Sequence, residues 1–220
     1  MIRTIIFDFD GTIADTLPEI FELYNKYADD FNLPEITRKE AEELRNKSAF
    51  EIIRSFGISV IKLPSIANKI RRELNSSITQ IKIFKGMTEV FKAIKDKGLQ
   101  LGLLTSNSQE NVEKYLKFHK IKLFDFVHSE KNLFGKSNTL GKLIRKYSLE
   151  KEKTIYVGDE VRDIDACRDN GIKIISVTWG FNTKEILKKN KPDYLIKKPN
   201  EILTIMDKMT RSRNFVNKYK

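Results

Sequence analysis

The chain has 220 residues, 40% of them hydrophobic, with 10 Gly and 5 Pro, which suits one good-sized domain with a smaller insert and excludes a disordered chain. No apolar run reaches bilayer-spanning length, acids arrive too early for a secretory signal, and one cysteine, Cys167, excludes an internal disulfide, so a cytoplasmic setting is expected. Of the net charge of +11, +7 lies in residues 184–220 and the excess is 30 Lys against 11 Arg, which argues against a dedicated nucleic-acid groove.

The stretch IRTIIFDFDGTIADT, residues 2–16, predicts a buried strand over 3–8 that ends in Asp8 and Asp10, followed by Gly11 and Thr12. Residues 15–83 hold no convincing strand. They predict helices near 17–31, 37–47, 48–56 and 65–80, with Pro18 and Pro64 in first turns. From residue 84 a helix, a breaker and a short apolar run recur. The helical pattern up to Gly98 precedes LQLGLLT, QENVEKYLKFHKI precedes a strand over 123–128, NTLGKLIRKYSLEKE precedes KTIYVGD, and DIDACRDNG precedes IKIISVT, with a weaker run at 193–196. Near-continuous apolar strands alternating with helices predict an α/β fold whose Rossmann-like parallel sheet is covered on both faces. The core is then discontinuous, residues 1–14 and 84–220, with an α-helical cap inserted over 15–83.

Ligands of such sheets sit beyond the carboxyl ends of the strands. Those ends carry Asp8 and Asp10, then Thr105, Ser106 and Asn107, then Asp159 and Asp163, with Lys136 in a loop after the 123–128 strand. Carboxylates about 5–6 Å apart repel by roughly 3 kcal/mol per pair at an effective dielectric near 20. A cluster of four must hold protons or a cation. All-oxygen ligands select a hard ion, Mg²⁺ before Ca²⁺ or zinc, and Mg²⁺ typically shares a substrate phosphate. Thr105 and Ser106, where a strand gives way to a helix, suit a phosphoryl group, and Lys136 adds a point charge. One carboxylate can attack phosphorus and a second can move protons for the leaving alcohol and the water.

Together DFDGTIADT, LLTSN, the loop lysine and VGDEVRD resemble the four motifs of the haloacid dehalogenase superfamily of aspartyl-phosphate hydrolases, across residues 1–14 and 84–200. The helical insert resembles the small cap of its phosphoglycolate-phosphatase-like branch. The resemblance implies Asp8 as nucleophile and Asp10 as general acid/base. It implies Thr105 and Lys136 on the phosphoryl group, and Mg²⁺ held by Asp8, the Asp10 backbone carbonyl, Asp159 and Asp163. The second Asp of DxD favours phosphate esters over dehalogenation. The expected activity is hydrolysis of a small phosphorylated metabolite, with phosphoglycolate one candidate beside sugar phosphates, nucleotides and phosphorylated cofactors. A phosphomutase and a non-catalytic binding module using the basic C-terminal segment are the alternatives.

Other residues get plainer readings. Lys131 and Lys142 compete with Lys136, and FGKS is no P-loop because Glu130 stands where its earlier glycine belongs. Glu160 and Asp165 are expected in solvent. His119 and His128 have no partner spacing, Cys167 is expected to pack, and Trp179 either walls the site or packs. Arg45 and Lys47 either reach a substrate anion or lie on an exposed helix face.

Overall fold

The computed structural model describes residues 1–59, 61–130 and 135–216. Strand β1 (Thr4–Phe7) is buried at every residue, which only a central strand can be. It pairs in parallel with β2 (Gln100–Thr105) on one side and β4 (Thr154–Gly158) on the other, Phe7 lying opposite both Leu103 and Val157. β3 (Phe126–Ser129) joins β2, while β5 (Lys173–Val177) and β6 (Tyr194–Ile196) extend the far side, giving the order β3-β2-β1-β4-β5-β6. The chain therefore winds outward in both directions from β1, and all six strands point their carboxyl ends at one edge.

Successive strand residues face opposite sides. Ile5 and Phe7 join Leu103 and Val157 in one apolar layer, and Ile6 joins Leu104, Tyr156 and Ile174 in the other. The first layer is closed by α5 (Met87–Asp96), α6 (Gln109–Phe118) and α10 (Glu201–Val216), through Phe91, Val112 and Ile202. The second is closed by α7 (Lys136–Lys146), α8 (Val161–Asn170) and α9 (Lys184–Lys189), through Leu140, Ile164 and Leu187. The α/β architecture expected from the sequence is the one observed.

Between β1 and α5 lie α1 (Leu17–Tyr27), α2 (Arg38–Leu44), α3 (Ala49–Ser55) and α4 (Leu63–Ser77), and, among the described residues, no strand of the sheet. Thr37 and Ser48 start α2 and α3 with capping boxes to Glu40 and Glu51. The helix expected over 17–31 is shorter, because α1 gives way to a 3₁₀ turn at Asp29–Phe31 and Asn32 turns left-handed at φ 54°. The strand expected over 123–128 starts later, at Phe126, and the Asp125 carboxylate instead accepts from Leu101 N–H (2.7 Å) and pairs with Lys95. The segments that lead into and out of the four helices run side by side. Asp15 N–H donates to the Lys82 carbonyl (2.9 Å), Phe84 N–H to the Ile13 carbonyl (3.0 Å), and Ala14 bridges Ile83 antiparallel.

Candidate active site

The winding reverses at β1, which opens a crevice at its carboxyl end. Asp8 follows β1 directly, 1% exposed, its N–H donating to the Val157 carbonyl (2.9 Å) and prolonging the strand by one residue. Its Oδ1 accepts from Phe9 N–H (2.8 Å) and its Oδ2 from the Lys136 ammonium (2.6 Å). Lys136 does not sit in a loop as expected. It is the first residue of α7, because Gly135 takes the cap position, and its ammonium is buried where it also pairs with Asp163. Burial alone pulls Lys136 down, but the Asp163 and Asp8 carboxylates outweigh it and hold the ammonium above the usual lysine range. Of its two rivals, Lys142 is exposed on α7 and Lys131 lies outside the described residues.

Asp159 directly follows β4 and Asp163 lies in the first turn of α8. The Thr12 hydroxyl donates to Asp159 Oδ1 (2.6 Å) and Phe181 N–H to its Oδ2 (2.7 Å). Asp163 Oδ2 accepts from the N–H groups of Asp159 (3.1 Å) and Glu160 (3.0 Å), capping the helix with the carboxylate that faces Lys136. One carboxylate oxygen from each of Asp8, Asp159 and Asp163 lies within 4.8 Å of the others. Burial pushes Asp8 up to about 7 against the pull of Lys136, and pushes Asp159 well above the usual carboxylate range. A buried set of hard oxygens is what Mg²⁺ takes, and each carboxylate has lone pairs beyond its hydrogen bonds. The residues fit that ion.

Asp10 is oriented separately. Its side chain stands outside this trio, Oδ1 accepting from Asn107 Nδ2 (3.0 Å), and burial raises it against that bond. Asn107 is fixed in turn, its backbone N–H donating to Thr105 Oγ1 (2.9 Å) and its Oδ1 accepting from Asn111 Nδ2 (2.8 Å). Thr105 is buried at the end of β2, and Ser106 accepts from Arg162 Nη2 (3.3 Å). Asp10, Ser106, Asn107, Glu160 and Arg162 share a cavity of about 230 Å³ whose opposite wall is Ile20, Ile70 and Arg71 of the helical insert.

Several surrounding residues differ from the sequence expectation. Glu160 is not in solvent: it accepts from Arg162 Nε (2.8 Å) at the cavity wall, because the turn into α8 carries it inward. Arg45 neither meets the cavity nor lies on an open face. It donates to the carbonyls of Phe181 (3.0 Å) and Gly180 (2.9 Å), fastening the end of α2 to the loop that holds Asp159. Asn182 returns the contact, its Nδ2 donating to the Arg45 and Lys47 carbonyls (both 3.0 Å). Trp179 packs against Phe84 and donates to the Thr12 carbonyl (3.2 Å). His119 lies against Tyr115 with Nε2 at 3.1 Å from the Ile81 carbonyl, and Cys167 is buried.

Two glycines are required by this packing. A Cβ on Gly180 or Gly11 would strike the Asp159 carboxylate, and Gly11 also has φ +72°. The sequence reading gave no role to Arg162, Asn107 or the 180–182 loop. For Arg162 the one available signal is its place between Asp159 and Asp163; for Asn182 there is none.

The model of the haloacid dehalogenase-like hydrolases matches residues 5–177, from β1 through β5. The chain belongs to this family. Among curated relatives, a phosphoglycolate phosphatase from Synechococcus elongatus is 31% identical over 210 residues, covering 95% of this chain and 99% of its own. A pyrophosphatase from Bacillus mycoides is 22% identical, covering 94% of this chain and 98% of its own. Among solved structures, a haloacid dehalogenase-like hydrolase from Streptococcus pneumoniae superposes with a TM-score of 0.78 at 20% identity, covering 93% of this chain and 98% of its own. Among the described residues, no helix is long and apolar enough to cross a membrane.

Proposed function

We propose that this chain is a Mg²⁺-dependent phosphatase of a small phosphorylated metabolite, phosphoglycolate foremost, acting in the cytoplasm through an aspartyl phosphate on Asp8. The observation that carries the reading is the division of labour between two neighbouring carboxylates. Asp8 is buried against Lys136 beside Asp159 and Asp163, while Asp10 is held apart by Asn107 at the cavity.

In this reading a carboxylate oxygen of Asp8 attacks phosphorus, the bond to the leaving oxygen breaks, and Asp10 gives that oxygen its proton. Water then attacks phosphorus, Asp10 takes its proton, and phosphate leaves with Asp8 restored. Lys136 favours the ionised form of Asp8 against its burial and offsets charge on the phosphoryl oxygens, assisted by Thr105 and Ser106. Mg²⁺ held by Asp8, Asp159, Asp163 and the Asp10 carbonyl would supply further charge neutralisation at those oxygens. The helices of residues 15–83 act as the cap, closing the far wall of the cavity and keeping bulk water from the intermediate. The Synechococcus relative supports phosphoglycolate as substrate.

The test is phosphate release from a panel of phosphorylated metabolites with and without Mg²⁺. Asp8→Asn is expected to abolish release while the circular dichroism spectrum is kept, and excess chelator is expected to stop the wild type reversibly. Release that persists in Asp8→Asn overturns the nucleophile. Isomerised sugar phosphate with no free phosphate would move the assignment to a phosphomutase.

A further inference from the structure

We propose that Arg162 is a positioning residue for phosphoryl transfer: held by Glu160, it donates to the Ser106 oxygen and so leaves that hydroxyl's proton for the phosphoryl group. The inference rests on the phosphatase reading above and deepens it, naming what readies one of the groups that meet the phosphoryl oxygens.

Arg162 lies in the first turn of α8, just after β4, and Ser106 directly follows β2. In the sheet β1 runs between those two strands, so the bond from Arg162 to Ser106 crosses the carboxyl end of β1, where Asp8 and Asp10 stand. The guanidinium is fixed from its own side. Its Nε (2.8 Å) and Nη2 both donate to Glu160 Oε1, and the side chains of Arg162 and Glu160 are only 19% and 15% exposed. Burial alone would pull Arg162 down, but the Glu160, Asp8 and Asp163 carboxylates outweigh it and hold the charge in place. Burial raises Asp8 and Asp10, and the same guanidinium is among the groups that oppose that rise at both.

A serine hydroxyl has one proton to give and lone pairs that accept. Ser106 Oγ accepts from Arg162 Nη2 (3.3 Å), and among the described residues its own proton goes to no acceptor. Thr105 beside it is wired alike, its Oγ1 accepting from Asn107 N–H (2.9 Å). Two consecutive hydroxyls at the end of β2 are thus loaded by protein donors and keep their protons for an oxygen-rich ligand. A charged donor behind a hydroxyl also polarises its O–H, so Arg162 makes Ser106 the better donor. Ser106 and Arg162 both line the cavity of about 230 Å³ that Asp10 faces, which leaves room for the acceptor. The role concerns the transferred group, so it should be the same whatever leaves.

The experiment measures kcat, KM and inhibition by orthovanadate, with Mg²⁺ present, for p-nitrophenyl phosphate and phosphoglycolate. The proteins are the wild type, Ser106→Ala, Arg162→Met and the double variant, with folding checked by circular dichroism. Arg162→Met is expected to lower kcat/KM about 10- to 100-fold, to a like extent on both substrates, and to weaken orthovanadate by a similar factor. In the Ser106→Ala background the same change should cost no more than about 3-fold, since the hydroxyl through which it acts has gone. A full loss in that background overturns action through Ser106. A loss confined to one substrate places Arg162 on the leaving group and overturns the proposal as well. A wild type that releases phosphate from neither substrate overturns the phosphatase reading, and the role of Arg162 with it. If Arg162→Met fails to fold, Glu160→Gln takes its place in the cycle: losses that multiply with Ser106→Ala overturn the proposal, and losses that do not multiply support it.

Discussion

Lys136 is a single ammonium buried between two carboxylates, Asp8 and Asp163, so its removal leaves negative charge in a place water does not reach. Removing one partner of a buried pair typically costs about 3–5 kcal/mol. Lys136→Met is therefore expected to lose about that much stability in urea unfolding without divalent metal, and added Mg²⁺ should return part of it by binding the folded state. The double variant Asp8→Asn, Lys136→Met should cost less than the two single changes summed, since the charge that Lys136 matches is then reduced. At Gly180 the consequence is steric. Gly180→Ala is expected to displace the Asp159 carboxylate and to lose about 1–3 kcal/mol of stability, with Asp159 no longer level with its neighbours. Asp8, Asp10 and Asp159 were legible in the sequence because carboxylates at the ends of buried strands are conspicuous. Arg162 and Glu160 were not, because a charged residue in a helix's first turn reads alike whether it pairs inside a cavity or points at water. Arg45 was illegible for a related reason: besides Glu42 one turn back, its partners are backbone carbonyls 135 and 136 residues away, and carbonyls leave no trace in residue types.

Helices and strands carried their own signatures more openly. The apolar runs gave the buried strands, and Pro18 and Pro64 fell in the first turns of α1 and α4 as expected. What escaped were ends decided by side chains elsewhere, such as β3, where Asp125 turns its carboxylate to the start of β2. The attachment of α2 to the Gly180–Asn182 loop is another tertiary decision. Arg45→Ala would leave two partly buried carbonyls without their donors, and unmatched groups of this kind cost about 1–3 kcal/mol each. We expect a lower urea midpoint with an unchanged slope, and a higher Mg²⁺ concentration for half-maximal activity, because the same loop donates to Asp159. Ser48→Ala, which removes the capping box of α3 but none of the side chains that make this attachment, should cost only about 1 kcal/mol and leave turnover as it is. The contrast between the two variants separates helix stability from helix attachment.

For the whole molecule, the paired segments at residues 13–15 and 82–84 change what the chain must search during folding. Central strands β1 and β2 are far apart in sequence, Thr4 and Gln100 being separated by 96 residues. Once Ala14 has met Ile83, however, the 68 residues between them hang from a closed neck, and the remaining path from Thr4 to Gln100 is only about 27 residues. Closing a loop costs an amount that grows only with the logarithm of its length, so most of that search is settled in one early step. Refolding should then be insensitive to the length of what hangs from the neck: a flexible stretch added within residues 33–36 is expected to leave the refolding rate nearly unchanged. Phe84→Pro, which removes the N–H that donates to the Ile13 carbonyl across the neck, should slow refolding more than it speeds unfolding, as stopped-flow fluorescence of Trp179 would report. An inserted module that enters and leaves by one door makes a long detour in sequence but a short one in kinetics.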